Sequence, residues 1–242
     1  MDAVKSSGPF FSQTRPCIME LNGKRGWTGM QVLVVGANGQ VGRLLMQQLL
    51  AAGDTPVAGL KPTEDGEEWA DQGLMVCKMD LLAKPEQLAS AIMGMDAVIF
   101  AAGSGGQTKA DMTLLIDLDG AVKTMQAAEI AGVSRFLMIS MLFAEDRNRW
   151  ADPLKPLYVA KFYADNWLVR QTHLDYTIVQ PGALSFHAGT GLIKSDPLAV
   201  GSVPRADLAA FLVAALHAPQ TIGKTIPLLS GDQSIAQVID QL

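Results

Sequence analysis

The residues best suited to chemistry are three glycines in the run Val34-Val35-Gly36-Ala37-Asn38-Gly39-Gln40-Val41-Gly42, spaced G-x-x-G-x-x-G. Each suits a different need of a turn that meets a pyrophosphate. Gly36 permits the tight turn, Gly39 lets the backbone approach the phosphates, and Gly42 allows a helix to pack closely on the sheet. Asn38, Gln40 and Val41 belong to the same ligand-facing turn, where a helix N-terminus presents free N–H groups and the positive end of its dipole. Three spaced glycines alone could form no more than a tight connection, so their neighbours decide.

Those neighbours form strand-turn-helix units. Gln31–Val35 reads as a strand, and Val41, Leu44, Leu45, Leu49 and Ala52 recur at helical spacing until Gly53. Further strands are expected at 56–60, 74–79, 97–101, 135–140, 176–179 and 225–229. Helices are expected at 85–93, 111–131, 157–171 and 205–218, with Leu115, Leu118, Val122 and Met125 on one face of the long central one. This alternation implies an α/β fold of the Rossmann type, a doubly wound, mainly parallel sheet with helices on both faces. Residues 1–29 mix Ser, Gly, Pro and basic residues without a period and read as a flexible extension. Residues 30–242 read as one domain, with a small substrate-side region over about 183–242.

Composition narrows the partners. The net charge is −5, and the extension is net basic, so the remainder is more acidic still and a nucleic-acid partner is not expected. No apolar run reaches the roughly 18 residues of a membrane helix, and no charged-then-apolar leader opens the chain, so a cytoplasmic protein without a membrane partner is expected. Cys17 and Cys77, in segments of different character, suggest neither a disulfide nor a thiolate metal site, and hence a reducing compartment. No metal-ligand spacing is found. His187 and His217 show no carboxylate partner in sequence, and His173 is unremarkable.

Several motifs in order resemble the atypical and extended short-chain dehydrogenase/reductase superfamily, particularly its NAD(P)H-binding group of flavin- and biliverdin-reductase-like and sugar-epimerase-like proteins. They are GANGQVG (36–42), Asp80-Leu81, Ala101-Ala102-Gly103, Asp117-Leu118-Asp119-Gly120, AGVSRFLMIS (131–140), Ala160-Lys161 with Ala164-Asp165, DYTIVQPGAL (175–184) and VPRADLA (203–209). The resemblance implies that Asp80, Leu81, Ala101, Ala102 and Gly103 border the adenine and ribose, and that Pro181 and Gly182 pass close to the nicotinamide. Asp80 could equally cap the helix near Pro85, and residues 101–103 could be a packing turn. At the end of the second strand Lys61 stands where a cation accommodates a 2′-phosphate, which favours NADP(H) over NAD(H), although Glu64 and Asp65 follow closely.

In relatives that transfer hydride, a serine ends the fifth strand and a Tyr-x-x-x-Lys pair lies on the next helix. The tyrosine moves the substrate proton, and the lysine holds the nicotinamide ribose and lowers the tyrosine pKa. Ser140 and Lys161 match. The tyrosine position is Leu157, and Tyr158 lies one residue later, about 100° around a helix. Tyr158 therefore either packs or faces solvent beside the site, or becomes the proton donor if the helix begins one residue late after Pro156. Ser140 has a second reading as a strand-end residue satisfied by backbone, and Lys161 as a surface partner of Asp165. Gln180 replaces an arginine that many relatives carry. The expected function is an NADPH-dependent oxidoreductase acting on a small-molecule substrate, a flavin, a quinone or a small carbonyl compound. A nucleotide-sugar epimerase or dehydratase and a non-catalytic NADPH sensor are the alternatives.

Overall fold

The computed structural model describes residues 17–18, 29–105 and 110–242. Strand β1 (Cys17–Ile18) precedes β2 (Gln31–Val35), α1 (Gln40–Ala52), β3 (Thr55–Leu60), α2 (Glu67–Asp71), β4 (Met75–Lys78), α3 (Pro85–Ile92) and β5 (Ala97–Phe100). Then come α4 (Ala110–Met112), a π-helical stretch (Thr113–Gly120), α5 (Ala121–Ala131), β6 (Arg135–Ile139), α6 (Lys155–Gln171), β7 (Asp175–Pro181), β8 (Ala183–Ser185), β9 (Leu192–Lys194) and β10 (Ser202–Pro204). The chain continues through α7 (Arg205–Leu216), β11 (Lys224–Ser230), β12 (Gln233–Ser234) and α8 (Ile235–Asp240).

Strands β4, β3, β2, β5, β6, β7 and β11 run parallel in that order, so the sheet is doubly wound about β2. Runs such as Val32–Val35 and Ala97–Phe100 are buried throughout, as a sheet covered on both faces requires. One face packs α1 and α7 over Val32, Val34 and Ile99; the other packs α3 and α5 over Leu33, Val98 and Phe100. This is the expected Rossmann-type architecture. The strand order reverses between β2 and β5, where open α/β sheets bind ligands at the carboxyl ends of their strands.

Three local readings are corrected. The continuous helix expected over 111–131 contains an eight-residue π-helical stretch, whose wider turns shift the phase of the side chains. Leu115, expected on the core face, is accordingly exposed, whereas Asp117 is buried. The helix expected from Leu157 starts two residues earlier at Lys155 with Pro156 in its first turn, where a missing N–H costs nothing. And β1 joins the sheet edge antiparallel to β4 with Cys17 in register opposite Cys77, which is disulfide-bonded. Strand pairing brings together positions that lie sixty residues apart in sequence, so the cysteine count carries no argument for a reducing compartment. Apart from Cys17, Ile18 and Gly29, the expected extension lies outside the described residues.

Short elements without a readable period were not foreseen: α2, α8, β8, β9, β10 and β12. Helix α2 packs beside β4, whereas the others flank the carboxyl end of β7 and the edge beyond β11, where β9 pairs antiparallel with β11 and β12 pairs with β9.

Candidate active site

The turn after β2 has the geometry its glycines suggested. Gly36 adopts φ +88°, and a Cβ there would lie 2.8 Å from the backbone of Ala102. At Gly42 a Cβ would come within 2.1 Å of the Gly36 carbonyl oxygen, so this glycine brings α1 down onto the turn. Gly39 differs. Its φ of −67° suits any residue, and a Cβ would meet the Gly36 carbonyl oxygen at 3.1 Å and nothing else within 4 Å. The space above Gly39 is open, as a phosphate approaching the backbone needs. Helix α1 has neither a side-chain cap nor an acidic residue in its first turn, which leaves its positive end available to an anion.

Around this turn the side chains are tied to the segment after β3. Asn38 donates from Nδ2 to the Asp65 carbonyl and accepts from Trp69 Nε1 at 2.9 Å, so its side chain braces the loop. Arg43, singled out by no motif, donates from Nε to the Asn38 carbonyl, pairs with Glu68 and lies over the Trp69 ring. Lys61, with a side chain 70% exposed, stands at the end of β3 with its Nζ 3.3 Å from Glu64 Oε1. A cation and a carboxylate therefore share the position that distinguishes the two nicotinamide cofactors.

Asp80 caps no helix. Its Oδ1 accepts from the Leu82 N–H in a tight turn, while Lys84 holds the N-cap of α3. Leu81 is buried against Gly120, and Ala101, Ala102 and Gly103 follow β5 at the carboxyl edge, partly open to solvent. Gly182 has a structural reason: a Cβ would lie 2.3 Å from the Gly201 carbonyl oxygen, so glycine is what allows β8 and β10 to close beside Pro181.

Two buried polar groupings meet at the ends of β6 and β7. In the first, Lys161 donates from Nζ to the Ile139 carbonyl at 3.1 Å and lies 3.5 Å from Asp117 Oδ1, with both side chains under a tenth exposed. Asp117 also accepts the Ser104 N–H at 2.9 Å, so the π-helical stretch links the loop after β5 to the lysine. In the second, Ser140 Oγ donates to Asp165 Oδ2 at 2.6 Å, and Gln180 Nε2 bridges Asp165 and Glu145. Burial pushes the Asp165 carboxyl up to about 7 against the lowering effects of Ser140, Gln180 and Lys161. The alternative reading of Lys161 as a surface partner of Asp165 gives way to the buried pairs Lys161–Asp117 and Ser140–Asp165. Asp117 and Asp165 were legible only as members of motifs, because their partners come from other elements.

Tyr158 is buried, its ring stacked on Trp150 at a centroid distance of 5.7 Å, and burial raises its pKa above the usual phenol value. Leu157 occupies the place four residues before Lys161 and is partly exposed. His217, for which the sequence shows no carboxylate partner, lies 2.8 Å from Asp54, which also accepts the Met30 N–H. That pair sits at the amino ends of β2 and β3, away from the carboxyl edge. Among the described residues no helix is long and apolar enough to cross a membrane.

Open space above a glycine turn, at the switch point of a doubly wound sheet, with a buried lysine and serine across the edge, defines a dinucleotide-binding Rossmann protein. The comparisons agree: the family model described as NAD(P)H-binding matches residues 36–219, and the chain belongs to that family. It is 40% identical over 215 residues to "Uncharacterized sugar epimerase YhfK" of Bacillus subtilis, an alignment covering 88% of this chain and 100% of the relative. Among solved structures, the oxidoreductase ylbE from Lactococcus lactis superposes with a TM-score of 0.79 at 34% identity, covering 88% of this chain and 96% of that one. ChuY, an anaerobillin reductase from Escherichia coli O157:H7, superposes with a TM-score of 0.72 at 25% identity, covering 84% and 98%.

Proposed function

We propose that the protein is an NADPH-dependent reductase that passes hydride from the nicotinamide C4 to a conjugated or carbonyl acceptor of the flavin or quinone class. In this reading the pyrophosphate lies on residues 36–42, with backbone N–H groups of the first turn of α1 as donors. Asp80, Leu81 and residues 101–103 line the adenine and ribose, and Lys61, assisted by Arg43, meets the 2′-phosphate. Lys161 holds the nicotinamide ribose, and Pro181 packs beside the ring. Bound there, the cofactor supplies the hydride; the protein supplies orientation and the proton.

One observation carries the choice of reductase: the site keeps a serine and a lysine but has Leu157 at the proton-donor position, with Tyr158 buried against Trp150. Epimerisation or dehydration of a sugar begins by oxidising a sugar alcohol, which needs a base to take the hydroxyl proton as hydride leaves, the role of the tyrosine in such enzymes. Reduction of a conjugated acceptor needs only hydride and a proton. The oxidoreductase name of one structural neighbour and the reductase name of another support the same reading, whereas the epimerase name of the Bacillus subtilis relative supports the alternative. Residues 30–242 act as one unit, with 183–242 closing the substrate side.

The test follows NADPH absorbance with flavin, quinone and small carbonyl acceptors, alongside calorimetric titration of NADPH and NADH. Turnover of at least one acceptor with tighter NADPH binding is expected. Tight NADPH binding without turnover of any acceptor would favour a sensor instead.

A further inference from the structure

The Ser140–Asp165 pair has no counterpart in the ribose-binding role of Lys161, and it sits where a reductase lacking the tyrosine still needs a proton. Asp165 lies on α6 one turn after Lys161 and is buried, with Oδ2 held by Ser140 Oγ at 2.6 Å and by Gln180 Nε2 at 3.3 Å. Its other oxygen, Oδ1, is buried with no hydrogen-bond partner. An unpaired buried oxygen is expensive on a carboxylate and much less so on a neutral acid, whose O–H can instead donate to Ser140. Behind the pair is an open cavity of about 390 Å³ bordered by Asp165, Glu145, Gln180 and Asn166. Asp165 itself lines that cavity, so solvent comes up to its side chain although Oδ1 is enclosed.

We propose that Asp165 is the proton reservoir of the reduction and that Ser140 relays its proton to the acceptor. The proposal rests on the reductase reading above. Bound NADPH would supply a hydride, with its electron pair, to the acceptor. The Ser140 hydroxyl gives its proton to the reduced acceptor, Ser140 Oγ takes the proton from Asp165 Oδ2, and a water in the cavity returns a proton to Asp165. NADPH, the oxidised acceptor and one proton thus become NADP+ and the reduced acceptor. Ser140 touches the substrate; Asp165 acts through it as a positioning and supplying residue.

The charged and titratable groups facing Asp165 are Lys161 on the same helix and Glu145 on the loop after β6, with Arg170 at the cavity wall; Ser140, the residue that follows β6, and Gln180 from β7 contact it directly. Lys161 favours the ionised form and Glu145 opposes it, while burial outweighs both and sets the carboxyl near 7. The reservoir is therefore loaded on the acid side of about 7 and empty on the alkaline side.

The experiment compares the full-length protein with Asp165→Asn and Ser140→Ala, using 2-methyl-1,4-naphthoquinone as acceptor and NADPH binding as a separate readout. In the unmodified protein kcat should fall as pH rises through about 7 and show a solvent isotope effect. Asp165→Asn should lose at least tenfold in kcat below that pH and flatten the profile, with NADPH affinity unchanged, and Ser140→Ala should lose as much. Infrared difference spectra should show a carboxylic-acid band in acid that Asp165→Asn lacks. An unchanged pH profile in Asp165→Asn, or no such band, overturns the relay and leaves the reductase reading standing. An unmodified protein that binds NADPH and reduces neither the naphthoquinone nor any other acceptor overturns both.

Discussion

Gly39 and Gly42 lie three residues apart in one turn, yet replacing each by valine should produce opposite failures. At Gly42 the new Cβ would start 2.1 Å from the Gly36 carbonyl oxygen and 2.9 Å from the Ala37 backbone. Ordinary contact requires about 1 Å more, so α1 must move away from the turn and disturb the packing of Leu45 and Leu49 on the sheet. Overpacking of this kind costs about 1–3 kcal/mol, which for a domain of this size lowers Tm by about 2–12 °C. At Gly39 the backbone already suits a side chain, and the nearest atom is 3.1 Å away, so Gly39→Val should change stability by less than about 1 kcal/mol. Its side chain would instead fill the open space in which we propose that the pyrophosphate lies. Loss of NADPH affinity by about a hundredfold or more, equivalent to about 2.7 kcal/mol, is expected. Thermal unfolding and calorimetric titration of the two variants give both readouts. A Gly39→Val protein that binds NADPH like the parent, or a Gly42→Val protein of unchanged Tm, refutes the separation of roles.

Lys61→Glu should erase or reverse the preference for NADPH over NADH, because it places a second carboxylate beside Glu64 at the end of β3; equal affinities in the unmodified protein would remove the basis for that assignment. Tyr158→Phe should lower turnover less than tenfold, under about 1.4 kcal/mol of transition-state stabilisation, since the ring and its stacking on Trp150 remain. A hundredfold loss at constant NADPH affinity would make Tyr158 the donor. For Asp165 the folded-state pKa is raised, so its contribution to stability is complete below about 4 and is lost as pH rises through about 7. The difference in Tm between the unmodified protein and Asp165→Asn should therefore shift against the unmodified protein across that window, and a constant difference would contradict the burial of an acid form.

The sheet was legible because its central strands are short apolar runs, and its helices carry a 3.6-residue period. Gly36, Gly39 and Gly42 were legible for the same reason: each does a local task. The buried partnerships were not. Asp117 meets Lys161 across two elements, and its burial follows from a π-helical stretch that a regular helical period assigns to the wrong face. Asp165 was read beside Lys161, four residues away, but the Ser140 hydroxyl from a neighbouring strand claims it. Arg43 carries no motif, and its place beside Asn38 and Trp69 comes from the fold of the loop after β3. His217 finds Asp54 through the packing of α7 on α1, a contact between residues that sequence places far apart.

A crystal structure of the protein with NADPH tests the central claim most directly. The account places the pyrophosphate against the backbone N–H groups of residues 38–41, the ribose hydroxyls within hydrogen-bond distance of Lys161 Nζ, and the nicotinamide C4 on the side facing Ser140. A cofactor whose phosphates bypass the turn, or whose nicotinamide lies away from Ser140 and Lys161, would contradict it.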